Sequence, residues 1–265
     1  MITSTANEKV KFLRSLHSGK ARQKYGCYLV EGITLVEEAL KAGVRPVLAV
    51  VNLGELQRLA RGAALISSLD ASEWVPVSQK VLEWVATTVT PQPIVAAVPI
   101  PPISLDLDRE KHVLILDGVG DPGNVGTILR TAQAAGLRDV VLMPGSADVY
   151  SPKVVRSAAG AHFHLNLIRN QSWRSLAETL TGRAVFASVV SGGSPHYEIN
   201  WTKPSALIIG SEAHGVSAKA LEIATGLVSI PMAPGVDSLN AAVAAGIILF
   251  EAFRQWLIRE RSLLG

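Results

Sequence analysis

Apolar positions in this chain come in short blocks, separated by polar stretches that carry glycine or proline, and each block is long enough for one strand or one short helix. Over residues 1–100, a helical spacing runs from about Asn7 to Leu16, and Cys27-Tyr-Leu-Val30 reads as a strand. Glu31-Gly32 then leads into an amphipathic helix with Val36, Ala39 and Leu40 on one side. Val47 to Val51 is a second strand, a helix follows near Glu55 to Arg61, and Ile94 to Val98 is a closing strand. These blocks predict a small α/β domain over residues 1–100 with its own core.

Val98-Pro-Ile-Pro-Pro-Ile103 stops the pattern, because proline lacks the amide donor that a helix interior or central strand needs. Residues 101–111, ending in the polar Asp106 to Lys111, therefore read as a linker. Beyond it, Val113-Leu-Ile-Leu116 is continuously apolar, as strands buried on both faces of a parallel sheet are. Further strands are expected at Val140–Met143, Val185–Val190, Ala206–Ile209 and Leu227–Ile230, with helical stretches between them. That alternation predicts an α/β fold with a doubly wound parallel sheet over residues 112–265.

The last of these strands is expected to be buried, and it runs through Pro231, Pro234 and Gly235 into the apolar block Ala241–Phe250. Ser238 and Asn240, both residue types favoured at helix N-caps, announce a helix there. Open α/β sheets place ligands where the chain leaves a strand, so the loop reads either as a ligand loop or as a plain strand-to-helix connection.

The chain has 265 residues, 48% of them hydrophobic, and a formal net charge of +3. Cys27 is its single cysteine, which excludes an internal disulfide framework and a cysteine-based zinc site and fits a reducing cytoplasm. His162 and His164 alternate in an apolar, strand-like context and read as one buried and one exposed side chain, so no metal is expected. The run Ala241–Phe250 is short of the roughly 18 residues of a membrane span, and Met1 to Glu8 has no signal-peptide core. An intracellular protein is expected. Positive charge gathers at Lys9, Lys11, Arg14, Lys20, Arg22 and Lys24, with His17 among them. Such a cluster suits a solvated helix face as well as a phosphate-contacting surface.

Three segments could carry chemistry. In the first, Gly118, Gly120 and Gly123 spell the G-x-G-x-x-G of a dinucleotide turn, which raises a nicotinamide-dependent dehydrogenase as one reading. Pro122 interrupts that turn, and the next strand ends in Met143-Pro-Gly145 instead of the acid that would grip a ribose. Asn124 and Arg130 share the following helix, with Arg130 among Ile128, Leu129, Ala132 and Ala135, where an unpaired charge would be costly. In the second, Gly210 ends a strand, its missing side chain allowing a ligand to approach the backbone, and Glu212 and Gly215 follow. The third is the proline-bearing loop to Asn240.

In order, the three read Asn124-x-Gly-x-x-x-Arg130, Ile209-Gly-x-Glu-x-x-Gly215 and Ile230-Pro-Met-x(5)-Ser238-Leu-Asn240. This set closely resembles the SpoU (TrmH) family of S-adenosylmethionine-dependent RNA 2'-O-ribose methyltransferases, over about residues 112–258. Tyr28-Leu-Val-Glu-Gly32 and Gln92-x-Ile-Val-Ala96 look like the family's accessory RNA-binding domain, with Pro93 where the pattern often has glycine.

The resemblance implies a C-terminal sheet with a trefoil knot closed by the segment from Leu227, a homodimer, and a cofactor held by Gly210, Ile230 and Leu239, with Met232 and Ser188 on the pocket wall. It implies catalytic roles for Arg130, Asn124, Ser238, Asn240 and Glu212, and Arg130 of one subunit would approach the cofactor of the other. Arginine is effectively always protonated, so orienting the ribose and stabilising negative charge on its oxygen is an easier role for Arg130 than that of a base. Ser238 reads either as an RNA-facing group or as a helix cap. Large-subunit rRNA is the expected substrate in preference to tRNA, because a basic extra domain suits contacts on a folded RNA. The family includes antibiotic-resistance enzymes on the same rRNA, and a non-catalytic RNA-binding or assembly factor would share the fold.

Overall fold

A computed structural model describes the backbone of residues 1–264 and the side chains of residues 1–260. Its elements follow from local chemistry at the block edges. The Asn7 side chain accepts from the Lys9 amide at the start of the first helix, and Gly26 takes a left-handed φ of 61° at the end of the second. In chain order the first elements are α1 (Glu8–Ser15), α2 (Gly19–Tyr25), β1 (Cys27–Glu31), α3 (Ile33–Lys41), β2 (Leu48–Val51), α4 (Leu53–Gln57), α5 (Gly62–Ser68), β3 (Trp74–Pro76), α6 (Gln79–Val85) and β4 (Ile94–Pro99). Then come β5 (Val113–Asp117), α7 (Pro122–Ala134), β6 (Asp139–Leu142), α8 (Pro152–Ala158), β7 (Asn166–Arg169), α9 (Trp173–Thr179), β8 (Ala184–Ser188), β9 (Ser194–Pro195), β10 (Ser205–Gly210), α10 (Ala218–Ile223), β11 (Gly226–Ser229) and α11 (Ala241–Leu264).

The chain divides into two compact units, one of Met1–Pro102 with Tyr150–Phe163, the other of Ile103–Val149 with His164–Gly265. In the first, four strands lie in the order β1-β4-β2-β3. β4 runs antiparallel to both neighbours, and Ile94 to Val98 are all buried, as a central strand requires. Val10, Leu13, Leu82 and Val85 of α1 and α6 close one face over Leu29, Val50, Val95 and Ala97. On the other face, Tyr28 packs 4.8 Å from Tyr150 and 5.7 Å from His162, ring centroid to ring centroid. These rings account for the return of residues 150–163 to this unit, which a single division near residue 100 does not anticipate. The helix near Glu55 is in fact two, α4 and α5, and β3 and α6 add two elements to those expected, α6 burying Val81, Leu82 and Val85 at helical spacing. His162 is buried and His164 exposed, but in and after a 3-10 turn over Ala161–Phe163, not in a strand.

The second unit is a parallel seven-stranded sheet in the order β7-β6-β5-β10-β8-β11-β9. Val113, Ile115, Ala206 and Ile208 face Leu176 of α9, Leu180 just beyond its end and Ala220 of α10. α7 and α11 pack on each other and α11 reaches β10, so helices lie on both faces. The segment expected as a linker is packed instead: Leu107 is buried in the core, and Arg183 donates to the carbonyls of Asp108 and Lys111 at 2.5 and 2.6 Å. The β11 strand is less buried than its apolar letters predict, with only Val228 fully covered and Leu227 37% exposed. By length and composition Ala241–Glu260 of α11 could cross a membrane, with a mean hydropathy of 1.5. Ala242, Ala245, Ile248, Leu249 and Ala252 form its buried face, while 28% of the stretch is buried and Val243, Ile247 and Phe250 are exposed.

Candidate active site

β5 and β10 are neighbours in register, Asp117 beside Gly210, while the chain leaves β5 toward β6 on the far side. Their carboxyl ends therefore flank the switch point at which open parallel sheets bind ligands. Ser211 and Gly215 exchange backbone hydrogen bonds at 2.9 Å in both directions and fold the chain back over the end of β10. A Cβ on Gly210 would lie 2.1 Å from the Gly215 carbonyl carbon and 2.2 Å from the Val216 nitrogen. The glycine thus makes room for the chain's own turn, where the sequence suggests space for a ligand. Ser217 N–H donates to Asp117 Oδ2 at 2.6 Å and fixes this turn to the end of β5.

Beside the turn lies a cavity of about 350 Å³. Ser188 to Val190 line it from the end of β8, and Ile209 to Glu212 with Gly215 from β10. Ile230 and Met232 follow β11, and Ser238 to Ala241 with Ala244 open α11. All five residues expected to hold a cofactor, Gly210, Ile230, Leu239, Met232 and Ser188, lie on this cavity, as do Glu212, Ser238 and Asn240.

Three side chains from the three motifs form one hydrogen-bonded chain. Asn240 Oδ1 accepts from the Ala242 and Val243 amides at 2.9 and 3.2 Å, which caps α11. That fixes its amide the other way round, so Asn240 Nδ2 donates to Asn124 Oδ1 at 3.0 Å. Asn124 Nδ2 in turn donates to Glu212 Oε1 at 2.6 Å. The polarity of the chain is set at the helix N-terminus and ends on a carboxylate, an acceptor. Ser238 takes no part in the cap; it is exposed and borders the cavity, which removes capping as its role. Partners 88 and 116 residues apart in sequence leave no local signal, so these contacts were not legible in the chain. Ser211, Val189 and Val190 are further lining residues outside the predicted set.

Arg130 is not on the cavity. Val125, Ile128, Leu129 and Ala132 of α7 point inward, whereas Thr127, Arg130 and Ala134 form its exposed row. Its charge is solvated, so the desolvation cost expected from its apolar neighbours does not arise. The glycine turn does not suit a dinucleotide either: Asp121 Oδ1 accepts from the Asn124 amide at 2.9 Å and puts a carboxylate where a pyrophosphate would sit. In the basic segment, Arg22 is buried, and its Nη1 donates to the Leu16 and His17 carbonyls at 2.7 and 2.9 Å. It closes the end of α1 and is no surface contact. Lys9, Lys11, Arg14, Lys20 and Lys24 are exposed. Among the described residues no group of three or more His, Cys, Asp or Glu could hold a metal.

Residues 111–250 match the SpoU rRNA Methylase family, and residues 7–96 match the MRM3-like substrate binding domain. The chain is 37% identical over 252 residues to the 23S rRNA (guanosine(2553)-2'-O)-methyltransferase RlmP of Bacillus subtilis, covering 94% of this chain and 97% of that protein. It is 32% identical over 244 residues to the 23S rRNA (uridine(2479)-2'-O)-methyltransferase of Streptomyces viridochromogenes, covering 88% and 85%. The crystal structure of the SpoU methyltransferase AviRb from Streptomyces viridochromogenes in complex with the cofactor AdoMet superposes with a TM-score of 0.85 at 28% identity, over 95% of this chain and 98% of that one. With two motifs lining one cavity at the carboxyl ends of β8 and β10, the third tied to them through Asn124, and with matches over both units, this chain belongs to the SpoU rRNA methylase family.

Proposed function

We propose that this protein is an S-adenosylmethionine-dependent RNA 2'-O-ribose methyltransferase acting on large-subunit ribosomal RNA. The observation that carries the reading is that the second and third motifs line one cavity and the first is tied to both through the hydrogen bonds of Asn124 with Glu212 and Asn240. The lining suits the cofactor: Ile209, Ile230, Met232, Leu239 and Ala244 offer apolar contacts to a purine, and the Glu212 carboxylate complements a cationic sulfonium and ammonium. Bound there, S-adenosylmethionine supplies an electrophilic methyl group. A ribose hydroxyl is a poor nucleophile, so the protein's task is to align it and stabilise charge on its oxygen as its proton passes to solvent water and the O–CH3 bond replaces the sulfonium S–CH3 bond. Asn124, Ser238 and Asn240 orient the ribose, and the Arg130 guanidinium, permanently charged, stabilises the developing alkoxide. The matched relatives act on a guanosine and a uridine, and what those two targets share is the ribose.

Arg130 reaches the chemistry from a second copy of the chain. Supporting a homodimer, α7 exposes Thr127 and Arg130 and its packing partner α11 exposes Val243, Ile247 and Phe250, 36–51% accessible. An apolar row of this kind is costly to leave in water and suits a self-complementary interface. On the same reading the chain from Leu227 closes a trefoil knot, residues 1–100 hold the RNA with Lys9, Lys11, Arg14, Lys20 and Lys24, and the protein works in the cytoplasm. Arg130→Ala, exposed in the single chain, is expected to lose at least about 100-fold in methyl transfer to rRNA. Its S-adenosylmethionine affinity and melting temperature stay at wild-type values. Wild-type turnover in that variant, or methyl groups found on bases and not on ribose, would defeat the proposal.

A further inference from the structure

Between α6 and β4 runs Thr87-Thr-Val-Thr-Pro-Gln92, and its tip side chain, Val89, is fully exposed. An exposed valine on a floppy loop would mean little. This loop is held. The Glu31 carboxylate, 8% exposed, accepts from the Thr87 amide at 2.8 Å, from Thr87 Oγ1 at 2.6 Å, from Thr88 Oγ1, and from the Gln92 amide at 3.3 Å. Burial pushes the Glu31 carboxyl up, and the four donors outweigh it and hold it below the usual glutamate range, so the anchor stays ionised. The acid's charge is spent inside the loop, and the cationic contacts outside it come from Arg156 and, on the residues just before it, from Arg14.

Arg156 Nη1 donates to the Thr87 carbonyl and hydroxyl at 3.2 and 3.0 Å. Preceding the loop, Trp84 is 37% exposed with the Arg14 guanidinium 5.5 Å from its ring centroid, and His17 Nε2 lies 2.8 Å from the Val85 carbonyl. The neighbouring acid, Glu83, accepts from Gln79 Nε2 at 2.9 Å. An apolar tip on an anchored loop that Arg156 bonds, five residues along from a partly open indole beside Arg14, supplies the combination that holds an unstacked nucleotide: apolar and aromatic faces for the base, guanidinium for the flanking phosphates. We infer that the Trp84 to Thr90 segment, with Arg14 and Arg156, is the surface of the first unit that grips the RNA substrate at an unpaired nucleotide, a role the basic helices α1 and α2 do not fill by charge alone.

The inference rests on the reading of the protein as an RNA methyltransferase. The test is binding of the full-length protein to large-subunit rRNA transcripts, with S-adenosylmethionine affinity and melting temperature measured alongside. Val89→Asp, at a side chain that touches nothing, is expected to weaken RNA binding by about tenfold or more, the size of one lost base contact, with the other two quantities unchanged. Val47→Asp, at another exposed valine of the same unit, is the control and is expected to bind as wild type. Wild-type RNA affinity in Val89→Asp, or equal losses in both variants, overturns the surface while leaving the methyltransferase reading intact. A Val89→Asp defect seen with assembled ribosomal particles and absent with naked RNA assigns the loop to a protein partner and overturns it too. Wild-type protein that neither binds nor methylates RNA overturns both.

Discussion

Asn240 performs two tasks with the two ends of one amide, and a pair of substitutions separates them. Its Oδ1 caps α11 and its Nδ2 feeds Asn124 and through it Glu212. Asn240→Ala removes both. The lost cap costs about 1 kcal/mol, a fall in melting temperature of about 2–4 °C for a chain of this size. The lost donor is one neutral hydrogen bond, about 1 kcal/mol or roughly fivefold in rate if it acts in the transition state. Asn240→Asp keeps the cap, since aspartate caps as well as asparagine, and adds a favourable charge of about 0.3–1 kcal/mol at the helix N-terminus. It places a second carboxylate on Asn124. The Asn124 amide then lies between two acceptors, one facing its Oδ1 and one its Nδ2, and turning the Nδ2 toward the new carboxylate removes the charge-assisted bond to Glu212. Glu212 is exposed and solvent-screened, so the low end of the range for such a bond applies, about 1.5 kcal/mol or roughly tenfold in rate. Stability should therefore rank Asn240→Asp at or above wild type and Asn240→Ala below, while turnover ranks wild type, then Ala, then Asp. Thermal melts and initial rates of labelled methyl transfer at saturating RNA measure the two orders. If activity simply follows stability across the pair, Asn240 is a helix cap and no more, and the chain to Glu212 has no catalytic role.

Two further outcomes follow from particular contacts. Gly210→Ala drives a Cβ into the Gly215 and Val216 backbone, so the turn over β10 must move; a loss of about 1–3 kcal/mol in stability and a clear rise in the calorimetric Kd for S-adenosylmethionine are expected, and an unchanged Kd would refute the account of that turn. Burial holds His112 and His17 below the ordinary histidine range, against the pull of the Trp201, Ser205 and Val85 backbone bonds. A base with a depressed folded pKa contributes stability that is fully present above about pH 6.5, its unfolded value, and is lost as pH falls below it. The melting temperature should thus drop between pH 7.5 and 5.5, less in His112→Gln; a flat wild-type profile would contradict the burial of both rings.

The parallel sheet was legible in the chain because strands buried on both faces must be apolar throughout, and Val113 to Leu116 and Ala206 to Ile209 obey that rule without exception. β3 and β9 escaped notice, being three and two residues long, too short to set a period. β7 is bounded by Asn166 and Arg169, whose polar side chains interrupt the apolar signal. The proline-rich stretch did end one unit, but Tyr150 and His162 returned to it through packing on Tyr28, a contact that no local pattern encodes. Arg22 was misread for the same reason. As a letter it belongs to a basic run, and only the fold shows it turned inward onto the Leu16 and His17 carbonyls.

By itself, the sequence determined which elements form and which residue types sit at their ends, since propensity, capping and hydrophobic period act over a few neighbouring residues. Tertiary structure alone decided what each of those ends is for. Gly210 makes room for the Ser211–Gly215 turn on the wall of the cavity, Arg130 faces water beyond it, and Asn240 joins its helix cap to Asn124 and Glu212. The role of Asn240 depends on atoms within about 3 Å that the chain brings together across more than 80 residues, and hydrogen bonds between such distant positions leave no trace in local periodicity.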